Sequence, residues 1–305
     1  MYDVIIVGAG PAGLSAALDA HYLKLNTLVL EAEKAGGALS QTYPWKKVDS
    51  CLGFYEKKGM EIADAIVGHA RKAGIRIREG ERVESVTKGD EFFTVKTSKA
   101  EHRSRIVILA TGIRAIPRKL GVPGEGLEGV LYSVDKPSGF RGKHVLVVGG
   151  GDSAADTALG LDEAGAHVWL AHRRDELRAT AENVENLKKS SVKMLWSHEV
   201  REFAGSGNLE KAHVVDKKTG KVSVLGVDAA VVCIGSMPSR EYLANMGVKM
   251  ENGLVPVGKD CMTDIKGLFA VGDIVSSLKR IPQALATGEK AAFAAYKLVK
   301  NPYWK

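Results

Sequence analysis

Two stretches of this 305-residue chain carry the residue types that could hold a dinucleotide. The first reads Val4-Ile-Ile-Val-Gly8-Ala9-Gly10-Pro11-Ala12-Gly13. The second reads Val145-Leu-Val-Val-Gly149-Gly150-Gly151-Asp152-Ser153-Ala154. In each, an apolar run meets a glycine turn, and the turn opens a helical pattern. The spacings are G-x-G-x-x-G and G-x-G-x-x-A. Glycines let the backbone turn tightly and come close to a pyrophosphate. The helix start supplies free N–H groups and a dipole that favours an anion. Such a glycine pattern alone is weak; strand, turn, helix and second strand in order make it strong.

The residues at the end of each second strand set the chemistry of its turn. In the first unit a second apolar run, Thr27-Leu-Val-Leu30, ends at Glu31. That is about 20 residues beyond the glycines, where an acid receives ribose hydroxyls. In the second unit the run ends at His172, succeeded by Arg173 and Arg174, with Arg178 a little further on. Gly149 lies 141 positions beyond Gly8, and His172 lies 141 beyond Glu31, so the two units superpose without a gap. An acid repels a 2′-phosphate and bases attract it. The first unit is therefore expected to take FAD and the second NADPH. Arginine–phosphate hydrogen bonds are charge-assisted and often bidentate, worth roughly 1.5–3 kcal/mol each.

The elements that position these residues are legible as patterns. Residues 36–60 are irregular and rich in glycines and aromatics, suited to a planar ligand; Gly37, Leu39 and Tyr43 lie on this loop. An amphipathic helix is expected over 59–73. Residues 76–110 alternate like three antiparallel strands, with turns at Lys88-Gly89-Asp90 and Ser98-Lys99-Ala100. They end in Ala110-Thr111-Gly112. The second half repeats this with alternating strands from about 194 to 225, then Ala230-Val-Val-Cys233. Each nucleotide unit therefore carries a small β-meander, and the duplication reaches beyond the glycines. Pro117, Gly121, Pro123 and Gly124 mark a domain boundary. Near the end, a strand closes on Gly272-Asp273, where the carboxylate could accept a ribityl hydroxyl. A long helix begins at Pro282. The fold expected is α/β, with two Rossmann-like three-layer ββα domains. The second, 115–236, is inserted into the first, 1–114 plus 237–305.

Composition sets the bounds. Hydrophobic residues are 45% and charged residues 26%, as in ordinary soluble globular proteins. No apolar run reaches the roughly 20 residues of a membrane helix. The N-terminus reads as a first strand and not as a signal peptide, so a cytoplasmic protein is expected. The net charge is +7. The bases are mixed with acids and have few aromatics beside them, which argues against nucleic acid and suits steering of an acidic protein partner. The three cysteines, Cys51, Cys233 and Cys261, form no C-x-x-C, and no metal site is suggested.

Taken together, these motifs resemble the low-molecular-weight thioredoxin reductase superfamily of pyridine nucleotide-disulfide oxidoreductases, over essentially the whole chain. The resemblance implies a homodimer. It implies FAD contacts at Gly8, Gly10, Pro11, Ala12, Gly13, Glu31, Gly37, Leu39, Thr111, Gly112, Gly272 and Asp273, with backbone groups around Gln283 and Ala284 facing the flavin edge. It implies NADPH contacts at Gly149, Gly151, Asp152, Ser153, Ala154, His172, Arg173, Arg174 and Arg178. Thioredoxin reductases carry a C-x-x-C before the second glycine turn; here that stretch is Tyr132-Ser-Val-Asp-Lys-Pro-Ser-Gly-Phe140. A dithiol relay needs two thiols within disulfide reach.

A disulfide-free branch, the thioredoxin reductase-like ferredoxin/flavodoxin–NADP⁺ reductases, is similar at Tyr43-Pro44, where it places an aromatic ring on the isoalloxazine, and at Tyr132-Ser133-Val134. That branch carries a C-terminal cover over the flavin. In this chain Tyr303 or Trp304 stands in that place, while Pro282-Gln283-Ala284 looks more like thioredoxin reductase. The expected reaction is hydride transfer from NADPH to FAD and onward electron transfer to an acidic ferredoxin or flavodoxin, with no side-chain acid or base. The alternatives are a disulfide reductase using Cys51 or an external dithiol, an NADPH oxidase with another acceptor, and a flavin-binding sensor without turnover.

Overall fold

The computed structural model describes residues 1–112, 115–238 and 240–300. Tyr303 and Trp304, expected as a flavin cover, lie outside the described residues. The chain divides into two compact units, Met1–Ala115 with Met237–Lys305, and Ile116–Ser236.

The first unit opens with β1 (Tyr2–Val7), α1 (Pro11–Tyr22) and β2 (Thr27–Leu30). Val4 and Ile6 enter one core cluster and Ile5 and Val7 the other. A parallel strand covered on both faces must be apolar at every position, which is why this run shows no alternation. After α2 (Ala38–Gln41) come β3 (Lys47–Val48) and β4 (Lys57–Lys58), paired as a short antiparallel ribbon. Next is α3 (Gly59–Lys72). Its first turn is tied by Glu61, whose carboxylate accepts the Lys58 N–H at 2.8 Å.

The strands β5 (Ile77–Arg78), β6 (Val83–Lys88), β7 (Phe93–Thr97) and β8 (Glu101–Leu109) complete this part of the sheet. Its order is β5-β2-β1-β8-β7-β6. The antiparallel meander expected over 76–110 is present as β6, β7 and β8, while β5 runs parallel to β2. Strand β8 has neighbours of both senses. It is antiparallel to β7 over 101–104 and parallel to β1 over 104–109.

Through β9 (Ala115–Pro117) the chain enters the second unit, which contains β10 (Val130–Leu131), β11 (His144–Gly149), α4 (Asp152–Glu163) and β12 (His167–His172). Then come α5 (Ala181–Lys189), β13 (Lys193–Trp196), β14 (His198–Ala204), β15 (Lys211–Asp216), β16 (Val222–Gly226) and β17 (Ala229–Cys233). The parallel sheet is β10-β17-β11-β12-β13, and β14-β15-β16 forms a separate antiparallel sheet. The strand that runs unbroken as β8 in the first unit is broken here between β16 and β17. Asp228 occupies the break; its carboxylate accepts the His144 N–H at 2.7 Å and its own N–H donates to the His144 carbonyl at 2.9 Å.

The chain returns through β18 (Ser236–Pro238), which pairs with β9, and α6 (Arg240–Asn245). Strand β19 (Leu268–Ala270) then joins β8 in parallel, and α7 (Ile281–Lys300) closes the first unit. Helix α7 lies against α1 so closely that a Cβ on Gly288 would run into the Ala12 carbonyl. Ser15 adds a hydrogen bond from its hydroxyl to the Leu285 carbonyl, 2.8 Å. No helix among the described residues is long and apolar enough to cross a membrane.

Candidate functional site

The first glycine turn is held by backbone approach. Gly8, at φ 107°, faces the Ala110 carbonyl at the end of β8, where any Cβ would collide. A Cβ on Gly13 would in turn strike the Gly8 carbonyl. Helix α1 begins at Gly10 with Pro11 as its first residue and no side-chain cap. Its first N–H groups are therefore open to an anion. Gly37 backs this turn, for a Cβ there would lie 2.9 Å from the Gly10 Cα.

The Glu31 side chain is buried and organises the loop from below. Its Oε2 accepts the Ala9 N–H at 2.8 Å and its Oε1 accepts the Glu33 N–H at 2.9 Å. The other residues expected around this turn belong to the same unit. Leu39 is buried on α2, and Tyr43 lies just past that helix, half-buried, with the Lys46 ammonium 5.9 Å from its ring centre. Thr111 and Gly112 come directly after β8, and nothing lies within 4 Å of where a Gly112 Cβ would stand. Gly272 donates its N–H to the Thr287 hydroxyl at 3.0 Å, which fastens the Gly-Asp turn to α7. Burial pushes the Asp273 carboxyl above its ordinary value, with Lys279 opposing that shift. Gln283 and the buried Ala284 lie in the first turn of α7.

The second unit repeats the frame with different chemistry. Gly149 faces the Cys233 carbonyl as Gly8 faces that of Ala110. Helix α4 starts at Gly151, again without a side-chain cap, and open space surrounds the position of a Gly151 Cβ. Asp152 is turned away from the turn: its Oδ1 accepts the Thr180 N–H and an Asn183 amide hydrogen, both at 2.8 Å, which secures the start of α5. Ser153 is exposed in the first turn of α4, and Ala154 is buried.

The basic group divides. His172 is only 6% exposed, and its ring fills the space beside Gly150. Burial pushes its pKa below the ordinary value, with a hydrogen bond to the Glu176 backbone opposing, and Arg173, Arg174 and Arg178 lower it further. Its buried Nε2 has no hydrogen-bond partner among the described residues. Arg173, Arg174 and Arg178 are exposed and line a cleft of about 470 Å³. Arg178 arrives on a loop, and its N–H donates to the Gly150 carbonyl at 2.7 Å.

Three further lining residues, Ser197, Lys217 and Lys218, come from a different part of the unit. Ser197 has a left-handed backbone, φ 58°. It donates its N–H to the Arg174 carbonyl at 2.9 Å, and its carbonyl accepts the Lys217 N–H at 2.8 Å. This ladder holds the turn between β15 and β16 against the arginine loop. Lys218 pairs with Asp175 at 3.2 Å and Lys217 with Glu199 at 2.9 Å. Sequence reasoning missed this wall; its one signal was the Lys217-Lys218-Thr219-Gly220 turn within the expected meander.

Both frames fit a dinucleotide. Each has an uncapped helix start behind a glycine turn whose backbone is the nearest surface, and the second adds an orphaned buried ring nitrogen and a cationic cleft. The thiols form no disulfide with one another. Cys51, Cys233 and Cys261 are all free. Burial raises the pKa of each, and that of Cys233 is pushed up to about 11.

Comparison with known proteins agrees with this duplicated frame. Residues 2–288 match the model of the pyridine nucleotide-disulphide oxidoreductase family. The chain is 38% identical over 306 residues to a ferredoxin–NADP reductase of Ignicoccus hospitalis, covering all of both chains. It is 36% identical to a thioredoxin reductase of Bacillus subtilis, over 96% of this chain and 93% of that one. Among solved structures, Lactococcus lactis thioredoxin reductase superposes with a TM-score of 0.90 at 30% identity, over 99% of this chain and 100% of that one. A glycine-turn βαβ unit present twice, each with its own meander, and a family match spanning nearly the whole length together place the chain in the pyridine nucleotide-disulphide oxidoreductase family.

Proposed function

We propose that this protein is an FAD-dependent NADPH oxidoreductase of the ferredoxin/flavodoxin–NADP⁺ reductase type. In this reading residues 1–114 with 237–305 hold FAD, and 115–236 hold NADPH. The observation that carries it is the contrast between the two strand ends. Glu31 presents a carboxylate at one, and Arg173, Arg174 and Arg178 present three exposed cations at the other. A carboxylate accepts ribose hydroxyls and repels a 2′-phosphate; guanidinium groups bind it in a charge-assisted fork.

Bound FAD would supply the chemistry that links a two-electron hydride donor to one-electron carriers. The chain's own residues position the partners. Gly8, Gly10, Pro11, Ala12, Gly13 and Gly37 let backbone approach the pyrophosphate. Asp273, held on a turn fastened by Thr287, would receive a ribityl hydroxyl; Thr111, Gly112, Gly272, Leu39 and the α7 start at Gln283 and Ala284 would shape the rest. Tyr43 would stack on the ring system. Gly149, Gly151, Ser153 and Ala154 cradle the second pyrophosphate at the start of α4. Asp152 and His172 act one step back, Asp152 by securing α5 and His172 by supporting Gly150. No side chain need move a proton in the hydride step, so positioning carries the catalytic contribution.

The acceptor in this reading is a small acidic electron carrier. The relatives named ferredoxin–NADP reductase support it, as does the +7 charge. Three free thiols whose pKa values are all raised count against internal disulfide chemistry. A cytoplasmic homodimer completes the proposal. The test is steady-state NADPH oxidation by the FAD-loaded protein with ferredoxin, flavodoxin, thioredoxin and oxygen as separate acceptors. Turnover with ferredoxin or flavodoxin well above the other two is expected. Thioredoxin as the preferred acceptor would favour the disulfide-reductase reading, and failure of NADPH to bleach the yellow flavin would end the enzyme reading.

A further inference from the structure

The short ribbon of β3 and β4 is built against its own stability. Lys47 lies directly opposite Lys58, and Val48 opposite Lys57. Like charges at directly opposed positions of a two-stranded pair destabilise it. The loop that joins these strands carries Leu52, fully exposed, and Tyr55, 75% exposed. These are the two most exposed large apolar side chains among the described residues.

A second segment belongs to the same surface. Arg280 donates a guanidinium hydrogen to the Ser50 hydroxyl at 2.8 Å. Ile281, Val48 and Phe54 pack on one small cluster with Leu39, Ile62 and Ala63. Leu278, 58% exposed, and the exposed Lys279 stand beside this tie. Across 45–58 and 276–280 six basic residues, Lys46, Lys47, Lys57, Lys58, Lys279 and Arg280, meet two acids, Asp49 and Glu56. Lys57 is balanced by Glu61 at 3.0 Å. A cationic rim around exposed apolar side chains is the composition of a recognition surface for an acidic protein.

Its place in the chain gives it a purpose. The first segment begins two residues after Tyr43, and the second ends three residues before Gln283. In the proposed function, Tyr43 would stack on the flavin ring and backbone around Gln283 would face its edge, so both segments adjoin residues assigned to the flavin. We propose that the lysine ribbon together with 276–280 is the docking surface for the acidic electron-carrier protein, a proposal that rests on that function. The opposed lysines are then a cost of folding that an acidic partner offsets on binding.

The experiment uses the FAD-loaded full-length protein with two acceptors, an acidic ferredoxin and ferricyanide, a small ion that needs no protein surface. Two variants are compared with the wild type: Lys47→Glu combined with Lys58→Glu, which keeps the opposed pair like-charged while reversing its sign, and Leu52→Ser. The expected result for the charge variant is a KM for ferredoxin at least tenfold higher and a weaker dependence of kcat/KM on ionic strength. Leu52→Ser should raise that KM severalfold with little change in salt dependence. NADPH–ferricyanide turnover should stay within twofold in both. An unchanged ferredoxin KM with wild-type ferredoxin turnover intact would overturn the surface while leaving the function standing. A wild type that reduces ferricyanide but neither ferredoxin nor flavodoxin would overturn both. A change in oligomeric state of either variant by size-exclusion chromatography would identify the patch as a contact with a second copy of the chain and would also overturn the proposal.

Discussion

The His172 ring occupies the volume that a side chain at Gly150 would need. The same two positions in the first unit are Glu31 and Ala9, joined by a 2.8 Å hydrogen bond from the Ala9 N–H to the carboxylate. One frame thus supports its glycine turn from beneath in two ways, by a charge-assisted hydrogen bond in one copy and by a packed ring in the other. This difference dictates the residue at the middle of the turn. A carboxylate bonding a backbone N–H leaves room for a methyl group, and an imidazole pressed on the backbone does not.

Gly150→Ala should therefore destabilise the protein by about 1–3 kcal/mol, the range for overpacking a filled site. In the double variant with His172→Ala, part of that cost should disappear, giving a coupling energy of about 0.5–3 kcal/mol. Urea unfolding of the four proteins in the cycle measures it. Strict additivity would show that the ring does not support the turn.

Loss of one arginine from the cleft should be felt through NADPH alone. Arg173→Ala, Arg174→Ala and Arg178→Ala each remove a charge-assisted interaction of about 1.5–3 kcal/mol. KM for NADPH should rise about ten- to a hundredfold, with KM for NADH nearly unchanged. Lys218 is exposed and already paired with Asp175, so Lys218→Ala should have a smaller effect in the same direction. Equal effects on both nucleotides would contradict a 2′-phosphate at this cleft.

Acid sensitivity should centre on Glu81, which is only 4% exposed. Burial works to raise its pKa, but hydrogen bonds from His102 and Thr97 and the charges of His102 and Arg78 outweigh it, and the net shift is downward. The His102 ring nitrogen lies 2.8 Å from one carboxylate oxygen and the Thr97 hydroxyl donates to it at 2.9 Å. A depressed folded-state pKa means stability that is fully present above the ordinary carboxylate value and is lost as pH falls through the lower, folded one. Glu81→Gln should cost about 1–3 kcal/mol at neutral pH, as expected when buried partners are left mismatched. It should also flatten the stability profile below about pH 4, where an ordinary glutamate takes up its proton. Thermal unfolding across pH tests both parts.

Removing every thiol should leave turnover with a one-electron carrier intact. All three thiol pKa values are raised by burial, the opposite of the shift that activates a cysteine as a nucleophile. Cys51→Ala, Cys233→Ala and Cys261→Ala combined should keep kcat with ferredoxin within about twofold. A large loss, with the fold retained by circular dichroism, would bring a cysteine back into the mechanism.

Local pattern carried much of the architecture. The unbroken apolar runs before Gly8 and Gly149, the glycine spacing and the helix expected over 59–73 and found over 59–72 all obey short-range rules, because a buried parallel strand and a helix start constrain residues close in sequence. The βαβ repeat and its meanders were legible for the same reason. Sequence could also set Glu31 and His172 at matching positions, since a gap-free offset needs no coordinates. Tertiary structure alone decided what those positions do. Whether β8 runs unbroken or is split, as its counterpart is at Asp228, depends on which backbone groups it meets across the sheet. The burial of His172 beneath Gly150, and its separation from three exposed arginines close by in sequence, depend on where strand β12 stops. The wall of Ser197, Lys217 and Lys218 belongs to the cleft because one left-handed residue ties together loops that are far apart in sequence. Hydrogen bonds of that span leave no periodicity in a sequence, and so only the folded chain brings those cations together.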